Sequence, residues 1–308
     1  MSAAVLQFND VTKRFGDFTA VKDLSFAVPE GSVYGFLGGN GAGKTTSLRM
    51  ALDILAPTTG RIEILGAPPS REKAADIGFL PEERGLYRRM TVLDTVIYFG
   101  RLKGMTPTAA RKSALSLLDR LDLIGREKTK ISELSKGLAQ KVQLATALVN
   151  APRLIMLDEP FSGLDPVNQG VLEEAIKDAA KQGATVLFST HVMQHAERLC
   201  ERLLLLARGK KVFEGTQEEA RAQLPSRLTV TSKADPSGLP GVSSARSVDA
   251  GDSGWTRYEL VLAPGTGAGD ILEACTTRSF ALRSFDIHQP ALHEVFIHLV
   301  GGEREIVQ

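Results

Sequence analysis

The sequence predicts an α/β fold followed by a small α+β domain, on three observations. The stretch Gly35-Phe36-Leu37-Gly38-Gly39-Asn40-Gly41-Ala42-Gly43-Lys44-Thr45-Thr46 places a glycine-rich loop between an apolar run and a helix-like run. Strand-sized and helix-sized apolar segments then alternate, which implies a mostly parallel sheet with helical cover. After Gly209 the texture changes, and residues 235–254 are rich in Ser, Gly, Pro and Ala, as in loops around weak strands.

In chain order, Val5 to Phe8 and Leu24 to Val28 read as strands, and Val33 to Leu37 as a buried strand running into the glycine loop. A helix starts at Lys44, turns Leu48, Leu52 and Leu55 inward, and stops before Pro57. Ile77 to Leu80 is a short strand. From Val92 to Ile124 the spacing is helical, with Leu115, Leu118 and Leu121 as one apolar set, in a mainly helical insert. A second alternation follows: helix Leu138 to Leu148, strand Arg153 to Leu157, helix Val167 to Lys181, strand Ala184 to Phe188. Strands at Tyr258 to Leu262 and Ala281 to Ile287 and a helix near Leu292 to Leu299 form the small last domain.

The chain has 308 residues, 43% hydrophobic and 24% charged, which suits one large and one small soluble domain. A net charge of +1 gives no global field for nucleic acid. Cys200 and Cys275 are too few for a disulfide framework or a metal cluster. His288, His293 and His298 lack helical ligand spacing, and Pro290 interrupts them. The opening MSAAVLQFND shows no secretory pattern, and no run is long enough to cross a membrane. Any membrane work requires a partner that does the crossing.

Gly38 to Thr45 fits G-x-x-x-x-G-K-[ST] between a strand and a helix. Glycines let several backbone N–H groups converge on phosphate oxygens, and the helix beginning at Lys44 adds unpaired N–H groups and a positive dipole end. Lys44 brings a charge to the outer phosphates, and the Thr45 hydroxyl can ligate Mg²⁺. A magnesium triphosphate also needs an acid at a neighbouring strand end, and Leu154-Ile155-Met156-Leu157-Asp158-Glu159-Pro160 supplies two. Strand alternation points the two carboxylates apart, Asp158 toward Mg²⁺ and Glu159 toward the γ-phosphate and the attacking water. Leu134-Ser135-Lys136-Gly137 opens another helix, where Ser135 can cap and Gly137 lets a phosphate approach the backbone. Phe188-Ser189-Thr190-His191 delivers a histidine at a strand end, where a lone histidine is structural more often than catalytic.

These motifs, in this order from about Val5 to Gly215, resemble the nucleotide-binding subunits of ABC transporters. The resemblance implies a P-loop NTPase of ABC type, with a mixed sheet core and a helical subdomain. It implies that Phe15 stacks on adenine and that Gly38, Gly39, Asn40, Gly41, Ala42, Gly43, Lys44, Thr45 and Thr46 hold the phosphates of ATP. Ser135 and Gly137 match the family signature, Asp158 the Mg²⁺ aspartate, Glu159 the catalytic glutamate and His191 the switch histidine. Ser162 to Asp165 matches the loop that communicates across a head-to-tail dimer, in which each signature closes over ATP held by the other subunit. Partners implied are a second ABC subunit, as a homodimer or pair, and a separate integral membrane permease, with the chain peripheral on the cytoplasmic face. No nucleic acid partner is expected. Residues 1–223 form the ATPase domain, with its helical insert at about 88–150, and 224–308 the accessory domain.

Two departures from the family pattern stand out. Glu82 takes the place of a glutamine after Ile77-Gly78-Phe79-Leu80-Pro81, where it could still serve Mg²⁺ or water and bear on catalysis. LSKGL replaces LSGGQ, and Lys136 either sits near phosphate or faces solvent. The segment Phe79 to Tyr87, LSKG, and the tail Pro290 to Phe296 resemble the subgroup serving sodium-export and drug-resistance exporters of the ABC-2 type. In that reading the insert and the Glu82 loop dock on the permease, with Val92, Leu93, Val96, Ile97, Tyr98 and Phe99 either contributing or packing inside the insert. Two alternatives compete. One is a soluble ABC ATPase of translation or DNA repair, which a single cassette without a coiled-coil arm disfavours. The other is a domain that binds ATP without cleaving it, which Lys44, Thr45, Asp158, Glu159 and His191 together disfavour.

Overall fold

A computed structural model describes residues 4–83, 85–250, 254–278 and 280–301. Arg84, within the 79–87 segment, lies outside the described residues, as do residues 1–3 and 302–308 at the outer ends of the two predicted domains. The described chain divides into two compact units, residues 4–217 and 218–301.

The first unit opens with strands β1 (Ala4–Phe15) and β2 (Phe18–Pro29), a hairpin longer than the two short strands read from the sequence. Then follow β3 (Val33–Gly38), α1 (Lys44–Ala51), β4 (Thr59–Ile64), β5 (Ile77–Leu80), α2 (Val92–Leu102), α3 (Pro107–Arg120) and α4 (Lys136–Leu148). The remainder is β6 (Leu154–Asp158), α5 (Pro166–Lys181), β7 (Thr185–Thr190), α6 (Met193–Leu199), β8 (Arg202–Ala207) and β9 (Lys210–Thr216), before α7 (Gln217–Arg221).

Two sheets result. One is antiparallel with order β2-β1-β4; the other has order β5-β6-β7-β3-β8-β9, parallel except for β9. They share a core through aromatic stacking, Phe8 on Phe26 at 4.6 Å and Phe26 on Phe36 at 5.5 Å. The parallel register aligns Leu37 with Thr190, Asp158 with Ser189 and Leu80 with Leu157. The chain therefore leaves β3, β5, β6 and β7 along one carboxyl edge, where open α/β sheets bind ligands. The strand β9 shows that the composition change at Gly209 precedes the structural boundary, because a charged antiparallel edge strand still completes the main sheet.

Helix starts follow local chemistry. Thr91, Thr106, Ser135 and Asp165 cap α2, α3, α4 and α5 by accepting a backbone N–H three residues on, and Pro107 and Pro166 occupy first helical positions. Helix α4 is buried continuously from Ala139 to Leu148. In α3 the inward face is Ala110, Ala114, Leu117 and Leu118, while Leu115 is 41% exposed. The predicted set with Leu115 is corrected by one residue, since the stripe runs through the alanines at helical spacing. Cys200 is a free buried thiol, and burial pushes its pKa up to about 12.

The second unit contains β10 (Arg227–Ser232), β11 (Val242–Ala250), β12 (Thr256–Leu262), α8 (Ala268–Thr277), β13 (Leu282–His288) and α9 (Leu292–Val300). Its antiparallel sheet has order β11-β12-β10-β13, and α8 covers one face through Ile271 and Cys275 on Leu228, Val230, Leu260 and Leu262.

Candidate functional site

Strand β3 is buried along Tyr34, Phe36 and Leu37, so the point where the chain enters the glycine loop is fixed. At Gly38 any Cβ would run into the Leu206 carbonyl of the adjacent strand β8. At Gly43, the residue before α1, φ is 102° and a Cβ would stand 2.7 Å from the Ala20 carbonyl. Glycine at both ends of the loop is thus required by close backbone approach. Within it the Ala42 N–H donates to Gly39 O at 3.2 Å, and Ala42 O accepts from the Gly209 N–H at 3.1 Å. Gly43 has no side chain to cap α1, so the first N–H groups of that helix are available to an anion. Thr45 and Thr46, in that first turn, are half-buried, while Asn40 and Gly41 are exposed.

Lys44 is 6% exposed and folds back over the loop, donating to Gly38 O at 2.8 Å and Gly39 O at 3.2 Å. Its ammonium stands 3.4 Å from Glu159 Oε1. That same carboxylate oxygen is 2.9 Å from His191 Nδ1. The structure therefore brings Lys44, Glu159 and His191 into one cluster beside the N-terminus of α1.

Asp158 ends β6 and is buried, and its Oδ1 accepts the Ser189 hydroxyl. The same hydroxyl oxygen accepts the Glu159 N–H at 3.1 Å, and the Ser189 carbonyl lies 3.2 Å from that N–H. Ser189 so orders both acids, a part the sequence reading assigned to no residue. The sequence carries no signal for this, because it is the β6–β7 register that sets Ser189 across from Asp158. Glu159 itself is not extended: its φ is 48°, in the left-handed region. Strand alternation is thus not what separates the two carboxylates; a backbone reversal at the strand end turns Glu159 toward Lys44.

The remaining predicted residues occupy other places. Phe15 is 49% exposed at the tip of the β1–β2 hairpin, with Lys13 Nζ 5.0 Å from its ring centroid. Glu82 is exposed just past the end of β5. The backbone around it is held by Gln143, whose Nε2 donates to Pro81 O at 3.1 Å and Glu83 O at 3.3 Å. Ser135 is exposed and caps α4, its Oγ accepting the Leu138 N–H at 3.4 Å. A Cβ on Gly137 would stand 3.4 Å from both Leu164 Cδ2 and Asn168 Nδ2. Lys136 is exposed, with its side chain lying across Gly163. The Asn168 backbone N–H, then its side-chain amide, hold the Asp165 carboxyl below its ordinary pKa.

Val92 and Val96 are fully buried, so of the apolar residues named for docking these two pack inside the helical region. Tyr98 remains 37% exposed and meets Tyr87 edge-on at 5.5 Å. An open cavity of about 800 Å³ is lined by residues of the helical region, among them Thr91, Leu93, Arg111, Leu115 and Glu127. Among the described residues no helix is long and apolar enough to cross a membrane.

The ABC transporter family model matches residues 21–162. The chain is 40% identical over 302 residues to the uncharacterised ABC transporter ATP-binding protein YhaQ of Bacillus subtilis (strain 168), covering 98% of this chain and 100% of that protein. It is 37% identical over 310 residues to Nod factor export ATP-binding protein I of Burkholderia orbicola (strain AU 1054), covering 99% and 100%. Among solved structures, an ATP-binding subunit of an ABC transporter superposes with a TM-score of 0.67 at 28% identity, covering 71% of this chain and 92% of that one. A second, cbiO1 of Clostridium perfringens, part of the ABC transporter complex cbiONQ, gives 0.64 at 25% identity, covering 71% and 91%. Sequence similarity that runs the length of the chain, with a shared fold over 71% of it, settles the family: the chain belongs to the ABC transporter ATP-binding proteins and hydrolyses ATP to power transport.

Proposed function

We propose that Gly38 to Thr46 hold the phosphates of Mg-ATP and that Glu159 activates the water that attacks the γ-phosphorus. The observation that carries this reading is the convergence of Lys44, Glu159 and His191 beside the open N-terminus of α1. Lys44 places its charge on the outer phosphates. Glu159 orients the water and takes its proton as the new P–O bond forms and the bond to the ADP oxygen breaks. His191 holds the Glu159 carboxylate and faces the γ-phosphate. Asp158 suits a divalent cation, being a buried carboxylate that accepts the Ser189 hydroxyl at Oδ1, and the Thr45 hydroxyl is the natural second ligand. Mg²⁺ bound there supplies neutralising charge to the triphosphate.

In the same reading Phe15, half-exposed at its hairpin tip, stacks on adenine. Two copies, or this chain and a second ABC subunit, associate head to tail, so that Ser135 and Gly137 complete the site of the other copy. The assembly works at the cytoplasmic face of the membrane on a separate permease, as an exporter of the ABC-2 type, with residues 224–308 as an accessory domain. The name of the export relative and the motifs at residues 79–87 and 290–296 support this direction. Affinity capture from gently solubilised native membranes is expected to recover a multi-spanning protein. Recovery of ribosomal or DNA-bound proteins alone would overturn the transport reading.

Two substitutions refine it. Glu82→Gln is expected to retain Mg-ATP affinity within roughly threefold, because an exposed carboxylate is well screened by solvent. A loss of tenfold or more, about 1.4 kcal/mol, in a nucleotide titration would make Glu82 a required ligand. Tyr98→Glu puts a charge on the exposed aromatic pair with Tyr87. Capture of the membrane partner is expected to drop by about tenfold, the scale of an aromatic interface anchor, while ATP turnover of the isolated subunit holds. Undiminished capture would remove this surface from the docking site.

A further inference from the structure

Gln140 lies in the second turn of α4, is 4% exposed, and donates from Nε2 to the carbonyl of Pro160 at 3.1 Å in a bond buried at both ends. Pro160 follows Glu159, whose backbone sits in the left-handed region at φ 48°. A non-glycine residue keeps that conformation only where its surroundings hold it. On the amino side the Glu159 N–H is held by Ser189, through its hydroxyl at 3.1 Å and its carbonyl at 3.2 Å. On the carboxyl side Pro160 has no N–H to offer, so its carbonyl is the handle, and Gln140 holds it. The backbone that aims the Glu159 carboxylate at Lys44 and His191 is therefore gripped from two elements, β7 and α4.

Helix α4 grips the following residues as well. The Lys136 stem lies across Gly163, with Cε 2.7 Å and Cδ 3.1 Å from where a Cβ would stand. Gly137 is close enough to Leu164 and Asn168 that a Cβ there would contact both. The start of α4 and residues 160–164 are thus packed as one piece.

We propose that Gln140 is a positioning residue for Glu159, fixing the carboxylate through the Pro160 carbonyl. This rests on the assignment of Glu159 as the group that activates water. Because the same reading has Ser135 and Gly137, at the start of α4, meet the nucleotide of a second subunit, the Gln140 bond also ties the aim of Glu159 to that encounter.

The test is Gln140→Leu in the full chain, which keeps the size and removes the donor. Turnover (kcat) is expected to fall by roughly 10- to 100-fold, the scale of an ångström's misplacement of a reacting group, with KM for ATP within about twofold. The decisive readout is the same substitution in a Glu159→Gln background, measured by single-turnover hydrolysis of labelled ATP. Gln140→Leu is expected to add no further loss there, because it acts through Glu159. An equal fall in both backgrounds would make Gln140 merely structural, and an unchanged kcat beside a strongly impaired Glu159→Gln would overturn the proposal outright. Turnover retained by Glu159→Gln alone would instead remove the reading beneath it. Should Gln140→Leu not fold, Gln140→Glu serves, since only its protonated acid can donate to Pro160 O. Its kcat relative to the wild type is expected to rise as pH falls, and a flat ratio would overturn the proposal.

Discussion

Glu159→Gln is expected to lower ATP turnover by about 10²- to 10⁴-fold, the usual contribution of a general base, while leaving nucleotide affinity undiminished. The substitution preserves shape and removes one negative charge and one proton acceptor. That charge lies 3.4 Å from Lys44 Nζ and 2.9 Å from His191 Nδ1, at the place where the outer phosphates of ATP are proposed to sit. A carboxylate there repels a triphosphate, so its neutralisation favours binding. The fold should tolerate the change better than loss of a buried partner ordinarily allows, about 3–5 kcal/mol. Lys44 keeps the carbonyls of Gly38 and Gly39 as acceptors, and a glutamine oxygen can still face it. Turnover by phosphate release and affinity by nucleotide titration should therefore separate. Turnover within twofold of the wild type would remove Glu159 from the role of base, and an affinity loss matching the turnover loss would make it a binding group instead.

How much of this was legible in sequence depended on how local its cause is. The glycine loop and the strand ending in Asp158 were legible because each needs only its own neighbours: an apolar run, glycines, then a helix start. The sheet order was not, since β3 pairs with β7 and β8, far along the chain. That pairing sets Ser189 beside Asp158, which no spacing in one sequence discloses. The alternation argument for Asp158 and Glu159 presumed that the strand continued, whereas the backbone reverses at Glu159 under the hold of Ser189. Gln140 and Gln143 are polar residues within a run read only as helical, whose spacing does not tell which way they turn. In the structure α4 is buried all round from Ala139 to Leu148, so both amides turn inward and serve carbonyls of other segments. Strand β9 escaped notice because charged residues mark it as surface, which an edge strand is.

Gly43→Ala is the complementary case, with an expected loss of Mg-ATP affinity of at least roughly 10²-fold. An alanine at a left-handed φ such as 102° costs about 1–3 kcal/mol in backbone strain alone. Here the new methyl would also stand 2.7 Å from the Ala20 carbonyl, 3.1 Å from Val21 Cγ2 and 3.3 Å from Leu206 Cδ2. Val21 is fully buried in β2 and Leu206 in β8, so neither side can yield without disturbing the shared core. The strain is relieved by moving the loop and the start of α1, which are what would hold phosphate. A displacement costing about 2.7 kcal/mol of binding corresponds to 10²-fold. Gly31→Ala separates the two causes, because Gly31 also has a left-handed φ, 74°, but open space around its Cβ position. That variant is expected to lose about 1 kcal/mol of stability with nucleotide affinity intact. Equal affinities for the wild type and Gly43→Ala would show that phosphate is held by groups other than this loop.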